Sequence, residues 1–278
     1  MYTELQVNKA VTFKALHERA GIFAFPNPWD AGSAKMLAAL GFEALATTSA
    51  GLAFSLGKPD GEGALTRTDT LANARAIVEA TPLPVAADLE NGYGDEPEDC
   101  AATILRAADI GLVGGSIEDA TGRPEDTIYP FEQSVERVKA AVQAARSLPF
   151  PFTLTARAEN LIYGRPDLKD TIRRLEAYAE AGADVLFAPG LKNEDEIQAV
   201  VKAVAPKPVN VVIGLGITGL SLETLDKLGV KRVSLGSSLV RAAYSSFLRA
   251  AEEIKEKGTF SFTQATTSYT DINKLLRS

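Results

Sequence analysis

The sequence predicts an α/β protein, a (β/α)8 barrel of the TIM type with an extra N-terminal helix and a long C-terminal helix. Short apolar runs alternate with stretches of helical spacing eight times, and such alternation produces a parallel sheet with right-handed crossovers. No linker or change in composition separates the pairs, so we expect residues 1–278 to form a single domain. A chain of 278 residues that is 46% apolar is long enough for one barrel with a large core.

An open doubly wound sheet is the alternative fold. That fold places a glycine-rich phosphate-binding turn after its first strand. Here the first predicted strand, 22–25, is followed by Pro26, Asn27, Pro28, Trp29 and Asp30. The absence of the glycine-rich turn favours the closed barrel.

Local signals define the predicted elements. Apolar spacing of three and four residues marks the helices, Asp30 can cap the second one, and Gly41, Gly182 and Gly229 follow helix ends. The predicted helices are 5–20, 31–40, 66–80, 96–110, 131–145, 168–181, 193–203, 221–228 and 237–257. The predicted strands are 22–25, 43–48, 84–87, 112–117, 152–156, 184–188, 209–213 and 232–235.

Two stretches are predicted without regular structure. Residues 49–63 are polar and rich in glycine, which is typical of a loop. The tail after residue 258 is polar, and Phe260 and Phe262 are its expected anchors to the core.

Charge and composition argue against several classes of protein. The net charge is −7 without a long basic run, which argues against nucleic-acid binding. No apolar run approaches the ~20 residues of a membrane span, and the N-terminus lacks a signal-peptide pattern. We therefore expect a soluble cytoplasmic protein without membrane contacts. The single cysteine, Cys100, excludes an intrachain disulfide. The single histidine, His17, excludes a histidine-rich zinc site and is expected on the surface of the first helix.

Two acids follow the third predicted strand. Asp88 and Glu90 are two residues apart, so on an extended chain both carboxylates point to the same side. Nothing apolar nearby explains them, whereas Mg²⁺ prefers a few carboxylate oxygens and keeps several waters. The alternative is an acidic loop exposed to solvent.

Other polar residues also fall at strand ends, where barrel enzymes place their active sites. Each has a structural alternative, since Asp30 can be a helix cap and Arg157 can simply pair with Glu159. Together, however, acids after two successive strands and an arginine after the next indicate a metal bound by carboxylates and a substrate carboxylate held by Arg157. The strand-end residues are Asn27, Asp30, Ser49, Asp88, Glu90, Glu118, Asp119 and Arg157.

Six motifs, in order along most of the chain, resemble the isocitrate lyase/phosphoenolpyruvate mutase superfamily. They are NPWDAGS at 27–33, TTSAG at 47–51, GKPD at 57–60, DLENGYG at 88–94, SIED at 116–119 and TAR at 155–157. The resemblance implies a barrel enzyme that forms or consumes a pyruvate-type enolate. It implies Mg²⁺ or Mn²⁺ held by Asp88, with Glu90 and Glu118 as ligands directly or through water, and Asp60 as a loop acid near the metal.

The same resemblance implies a substrate site. Ser49, Ala50 and Gly51 match the segment that binds the carboxylate of an α-keto acid, and Asp88 also belongs to the substrate site. Arg157 matches the arginine that supports the substrate. We assign Asp60, Glu118 and Arg157 as catalytic residues. The general acid or base remains open between Asp60, Glu118 and Tyr129.

Two departures from the family pattern narrow the predicted reaction. The loop after the fourth strand lacks the cysteine and histidine of the lyases, and Pro189 stands where they have a glutamate. Pro124 and Asp126 stand near the places where the mutase has lysine and asparagine. Because Arg123 is the only cation in this loop, we predict C–C bond cleavage by a lyase or decarboxylase, or hydrolysis, rather than phosphoryl transfer. The alternatives are a P–C bond mutase or hydrolase, and a non-catalytic α-keto acid binder.

The last predicted helix indicates an oligomer. Residues 237–257 carry an apolar stripe wider than one barrel face usually needs. The superfamily resemblance implies that subunits exchange this helix. We therefore expect a homodimer or homotetramer.

Overall fold

Eight parallel strands form the barrel in the computed structural model, which describes residues 2–214 and 219–277. The strands run in the sheet order β1-β8-β7-β6-β5-β4-β3-β2. Their bounds are Phe23–Phe25 (β1), Leu45–Ala46 (β2), Val85–Asp88 (β3), Gly114–Glu118 (β4), Thr153–Arg157 (β5), Val185–Phe187 (β6), Val209–Val212 (β7) and Arg232–Ser234 (β8). The predicted (β/α)8 barrel is confirmed.

The remaining seam, between β1 and β2, is closed just beyond β1. The Ala46 N–H donates to the Pro26 carbonyl at 3.0 Å. The Asn27 side-chain amide donates to the Thr47 carbonyl at 2.9 Å, and its oxygen accepts from the Leu235 N–H at 2.8 Å. Asn27 therefore links β1, β2 and β8.

Helices surround the strands. Their bounds are Glu4–Glu18 (α1), Ala31–Ala39 (α2), Ser49–Ser55 (α3), Arg67–Ala80 (α4), Pro97–Asp109 (α5), Phe131–Arg146 (α6), Leu168–Glu180 (α7), Glu194–Val204 (α8), Leu222–Lys227 (α9), Ser238–Lys257 (α10) and Tyr269–Arg277 (α11). Most helices begin at side-chain caps, and Asp30 caps α2 as predicted, accepting from the Ser33 N–H at 2.7 Å. None of the described helices is long and apolar enough to cross a membrane.

The structure corrects both irregular predictions. The predicted loop 49–63 begins with α3, because Thr48 caps the helix through the Gly51 N–H and because Leu52 and Ala53 pack against Leu65. The tail contains a 3-10 turn, Ser261–Ala265, and helix α11. Both helices are short, with seven residues in α3 and nine in α11, so few turns are available to establish a helical pattern in the sequence.

The prediction that His17 lies on the helix surface is wrong. Helix α1 closes the amino-terminal end of the barrel, and the His17 ring lies edge-on between Phe13 and Phe23. Its Nδ1 contacts the Phe13 carbonyl at 2.8 Å, and its Nε2 lies 3.1 Å from Nη1 of Arg232. Burial, followed by the charge of Arg232, lowers the pKa of His17 to about 3. The ring is therefore neutral and remote from the strand ends that carry the predicted site.

Helix α10 leaves most of its apolar side chains uncovered. Val240 is its one buried residue, whereas Phe247 is 69% exposed and Leu248 is 55% exposed. The chain then returns, so that α11 packs on α2 and Lys35 donates to the Leu276 carbonyl. The single-domain organisation and the exchange of α10 between subunits stay predictions.

Candidate active site

A cavity of about 740 Å³ opens at the carboxyl ends of the strands. Parallel pairing sets neighbouring strand ends side by side, with Asp88 opposite Ser116 and Glu118 opposite Arg157. The acidic residues of the cavity wall, together with Arg157, gather on the β3, β4 and β5 side and on the loop after α3. They are Asp60, Asp88, Glu90, Glu118, Arg157 and Glu159.

Arg157 occupies the centre of this group. Its Nη1 lies 2.9 Å from Asp88 Oδ1 and 3.2 Å from Glu118 Oε2, and its Nε lies 2.8 Å from Glu159 Oε1. Burial alone disfavours the charge, but Glu159 and Glu118 outweigh that effect and raise the pKa of Arg157. The guanidinium, which stacks on the Phe187 ring at 5.0 Å, is therefore a fixed cation.

The carboxylates outnumber this cation. Burial raises the pKa of Glu90 to about 8, and the charges of Asp88 and Asp60 add to the effect. Burial and the charge of Asp88 also raise the pKa of Asp60, although Ser49 donates a hydrogen bond to it. Burial raises the pKa of Glu118 well above its ordinary value despite the nearby arginine. The positive charge of Arg157 is therefore too small to balance these carboxyl groups when they are ionised.

A divalent cation fits this set of donors. The carboxylate oxygens are ligands that Mg²⁺ and Mn²⁺ prefer, and a cation would relieve their mutual repulsion. Within residues 2–214 and 219–277, no group of three or more Asp, Glu, His or Cys side chains is arranged to hold a metal ion. Arg157 lies between Asp88 and Glu118, which explains their separation. The arrangement therefore fits a hydrated cation with few direct protein ligands.

The turn after β3 presents its acids through an unusual backbone. Glu90 and Tyr93 have φ angles of 46° and 62°, in the left-handed region that non-glycine residues seldom adopt. The Glu118 N–H donates to the Glu90 carbonyl at 3.0 Å, which joins the turn to β4. Gly92 is required because an added Cβ would lie 2.9 Å from Sγ of Cys100.

Arg137 of α6 contacts this turn from outside the cavity wall. Its Nη1 donates to the Gly94 carbonyl at 2.8 Å and also to the Asp95 carbonyl, and its Nη2 donates to the Asn91 carbonyl. The guanidinium stacks on the Tyr129 ring at 4.1 Å. The sequence did not reveal Arg137, because a helical arginine normally indicates a solvated face.

Asp119 supports the site without facing the cavity. It is 2% exposed, pairs with Arg174 at 3.0 Å and accepts from the Tyr178 hydroxyl at 2.8 Å. Its other oxygen accepts from the Glu159 N–H at 2.8 Å. Asp119 therefore positions Glu159, which in turn holds Arg157.

The three residues of the predicted substrate segment have different surroundings in the structure. Ser49 and Ala50 line the cavity, and the Ser49 N–H lies 3.4 Å from Asp88 Oδ2. Gly51 lies behind them, where an added Cβ would be 2.6 Å from Thr48 and 2.9 Å from Trp29. Close packing thus explains the glycine, and its substrate role stays a prediction.

The three acid–base candidates are placed differently. Asp60 and Glu118 line the cavity. Tyr129 is buried outside the cavity wall and donates to Asp95 Oδ1 at 2.6 Å, so its hydroxyl is already committed. Tyr93 and Tyr163 do line the cavity, although the sequence did not single them out as acid–base candidates.

The loop 120–130 covers one side of the cavity. Its cation, Arg123, lies 2.7 Å from Asp95 Oδ1 and 4.0 Å from Asp126 Oδ2. Arg123 is therefore neutralised by nearby acids.

Cys100 is fully buried beneath the neighbouring turn, where burial raises its pKa to about 11.

Comparison with known proteins identifies the family. A family model described as phosphoenolpyruvate phosphomutase matches residues 13–255. The chain belongs to the isocitrate lyase/phosphoenolpyruvate mutase superfamily. Members of this superfamily include lyases and mutases, and they are generally metal-dependent. The chain is thus an enzyme of this superfamily, as its motifs predicted.

Individual superfamily members agree over most of the chain. A 2-methylisocitrate lyase of Salmonella typhimurium is 32% identical over 231 residues, 79% of this chain and 75% of that protein. The structure of a candidate lyase/mutase from Burkholderia cenocepacia J2315 is 58% identical, with a TM-score of 0.96 and coverage of 99% and 98%. An oxaloacetate acetylhydrolase bound to its product oxalate is 25% identical, with a TM-score of 0.87 and coverage of 96% and 93%.

Proposed function

We propose that this protein is a Mg²⁺- or Mn²⁺-dependent lyase or decarboxylase that cleaves a C–C bond of a small α-keto acid through an enolate. The observation that carries the proposal is the cavity wall, which combines an excess of carboxylates with Arg157. The similarity to a 2-methylisocitrate lyase and an oxaloacetate acetylhydrolase supports the cleavage of a small carboxylic acid.

The electron flow defines what the site must do. The bond between C3 and its substituent breaks, and its electron pair moves into the C2–C3 bond while the carbonyl pair moves to the 2-keto oxygen. The fragment leaves as CO2 or as a carbonyl compound. A proton delivered to C3 then completes the product. The site must therefore stabilise an oxyanion and supply one proton, and in a retro-aldol cleavage it must also accept the hydroxyl proton of the group that leaves as a carbonyl compound.

Each part of the wall has a proposed task. Asp88 would hold the cation, with Glu90 and Glu118 as ligands directly or through water. When bound, that cation would polarise the 2-keto oxygen and stabilise negative charge on it. Ser49 and Ala50 would seat the substrate carboxylate.

The remaining tasks are charge balance and proton transfer. Arg157, fixed by Glu159, would stabilise negative charge that develops beside Asp88 and Glu118. Asp60 would carry the proton, because its raised pKa makes it a better donor than an ordinary aspartate. Tyr163 is the second donor within the cavity wall.

C–C cleavage is favoured over P–C chemistry by the loop 120–130. A phosphoryl group in transfer needs positive charges around its oxygens. Arg123 is paired with Asp95 and lies near Asp126, so the loop offers a phosphonate little positive charge. Decarboxylation or a retro-aldol cleavage places less negative charge there.

Pyruvate release tests the proposal. Oxaloacetate, 2-methylisocitrate and phosphonopyruvate are each mixed with enzyme and Mg²⁺, with and without a chelator. We expect a carboxylate substrate to be the fastest, and we expect chelation to abolish the reaction. Faster conversion of phosphonopyruvate to pyruvate or phosphoenolpyruvate would instead establish the P–C enzyme, and tight binding with release of neither pyruvate nor oxalate would establish a non-catalytic binder.

The Asp88→Asn variant adds a matched test of the metal site. It should lose metal binding and turnover while keeping its fold, because a strand-end acid contributes little to the core. Asp226→Asn, an equivalent change on the exposed helix α9, should change neither. Equal activity of the two variants would contradict the proposed role of Asp88.

A further inference from the structure

The cavity continues downward into the barrel, toward the amino-terminal ends of the strands. Barrels of this type usually fill their interior with bulky branched side chains. Here the wall below the carboxylates consists largely of small residues, which leave a chamber open. These residues are Ala46, Ala86, Gly115, Ser116, Thr155 and Ser234.

Arg232 forms the floor of this chamber. It is the first residue of β8, lines the cavity and is only 4% exposed. Its Nη2 donates to Thr155 Oγ1 at 2.9 Å. Thr155 precedes Arg157 by two residues on β5, so the two arginines lie at successive levels of one cavity.

Arg232 is a buried cation without a carboxylate partner among the residues that the structure describes. Its Nε donates to Asn210 Oδ1 at 2.8 Å, Nη1 lies 3.1 Å from His17 Nε2, and the guanidinium stacks on the Phe25 ring at 4.6 Å. Thr155, Asn210 and the neutral His17 provide no counter-charge. Burying an unpaired charge is costly, and burial lowers the pKa of Arg232 to about 9. The group still remains protonated at neutral pH.

The guanidinium retains donors for a ligand. An arginine has five N–H groups, and three of them contact Asn210, His17 and Thr155. One N–H on each terminal nitrogen has no acceptor in the described parts of the chain. A carboxylate accepts two such hydrogen bonds and supplies the missing negative charge.

The other cations of the cavity are less suited to this task. Arg157 already pairs with three carboxylates, two of them through one nitrogen. Arg241 is exposed and Arg67 is partly exposed, so water screens the charge of both. Among the cations that line the cavity, Arg232 is the deeply buried one that has no anionic partner within residues 2–214 and 219–277.

We infer that Arg232 forms a second carboxylate-binding subsite at the floor of the chamber. The inference rests on the proposed function and narrows its substrate class: the substrate carries a second carboxylate, remote from the reacting keto acid. The reacting end would lie beside the proposed metal site and Arg157, with its own carboxylate on Ser49 and Ala50. The distal carboxylate reaches down past the small side chains to Arg232.

Calorimetric binding to the Mg²⁺-loaded enzyme tests this inference with matched pairs of keto acids. 2-Oxoglutarate is compared with 2-oxopentanoate, and 2-oxoadipate with 2-oxohexanoate; each pair differs by the terminal carboxylate. A charge-assisted hydrogen bond contributes about 1.5–3 kcal/mol. We therefore expect at least one dicarboxylate to bind roughly 10- to 100-fold more tightly than its partner.

The variants Arg232→Met and Arg232→Lys assign that preference to this residue. Arg232→Met should lose the preference while binding the monocarboxylates as the wild type does, and Arg232→Lys should keep part of it, because lysine retains charge without the fork. If Arg232→Met fails to fold, an undiminished preference in Arg232→Lys overturns the inference. Equal binding of both members of each pair by the wild type also overturns it, as does a preference that survives in Arg232→Met.

The outcomes separate this subsite from the proposed reaction. A dicarboxylate preference without any turnover would refute the reaction and leave the subsite standing. Pyruvate release with no dicarboxylate preference would refute the subsite alone.

Discussion

Replacing Arg157 with lysine removes the geometry of its guanidinium while keeping its charge. The guanidinium contacts Asp88, Glu118 and Glu159 through two nitrogens that point in different directions. A lysine has a single terminal nitrogen and cannot reproduce this fork. At least one buried carboxylate, with Glu159 only 1% exposed, would then lose its charge-assisted partner.

The size of the effect follows from that loss. One charge-assisted hydrogen bond contributes about 1.5–3 kcal/mol. If the loss is felt in the transition state, kcat/KM falls roughly 10- to 100-fold, since each ~1.4 kcal/mol is a factor of ten. We expect this decrease for Arg157→Lys when pyruvate release is followed with the fastest substrate, while thermal unfolding verifies that the variant is folded.

Arg146→Lys provides the matched control. Arg146 also contacts a carboxylate with both terminal nitrogens, at 2.6 Å and 3.2 Å from Asp184, but its side chain is 48% exposed and lies beside the Phe152 carbonyl, at the amino-terminal end of β5. Exposed pairs contribute at most about 1 kcal/mol, so this variant should keep its kcat/KM. Wild-type activity in Arg157→Lys, or an equal decrease in both variants, would refute the role assigned to Arg157.

Three further predictions concern other parts of the chain. Cys100→Ser should leave turnover nearly unchanged, because the thiol is buried behind the turn, where it donates to the Asn91 carbonyl at 3.6 Å and does not line the cavity; a large loss of kcat at unchanged stability would contradict this. His17 has a folded pKa of about 3, below its unfolded value of 6.5, so its contribution to stability is present above pH 6.5 and is lost as pH falls toward 3. At pH 5 the loss reaches about 2 kcal/mol, so chemical unfolding should show a weaker pH dependence for His17→Gln, and identical slopes would refute the assignment. The exposed apolar face of α10 predicts a dimer or tetramer, so light scattering should give at least twice the 29.5 kDa of one chain; a monomer mass at micromolar concentration would reject the exchanged helix.

The strand-end residues show what sequence reasoning can reach. Parallel strands bring their carboxyl ends to one edge, so Asp88, Glu118 and Arg157 could be predicted to meet. The structure places Nη1 of Arg157 within 3.2 Å of both carboxylates. The same reasoning included Asp119, which follows Glu118 directly but points into a buried cluster with Arg174. Alternation along a strand decides between them, and that alternation is lost where the strand ends.

Other parts of the site depend on contacts between distant segments. Arg137 looks like an ordinary helix residue, yet it holds three carbonyls of the turn after β3. Arg232 begins a short strand, and its lack of a counter-ion becomes visible only when its neighbours from α1, β5 and β7 are known. No local pattern encodes either arrangement.

The proposed reaction depends on a metal held by Asp88, Glu90 and Glu118, which would stabilise an enolate together with Arg157. Deuterium exchange into the methyl group of pyruvate, followed by NMR in D2O, measures enolate formation without requiring the natural substrate. We predict exchange with wild-type enzyme and Mg²⁺, and none after chelation or in Asp88→Asn. Absence of exchange in the wild type, or exchange that persists in excess chelator, would contradict the account.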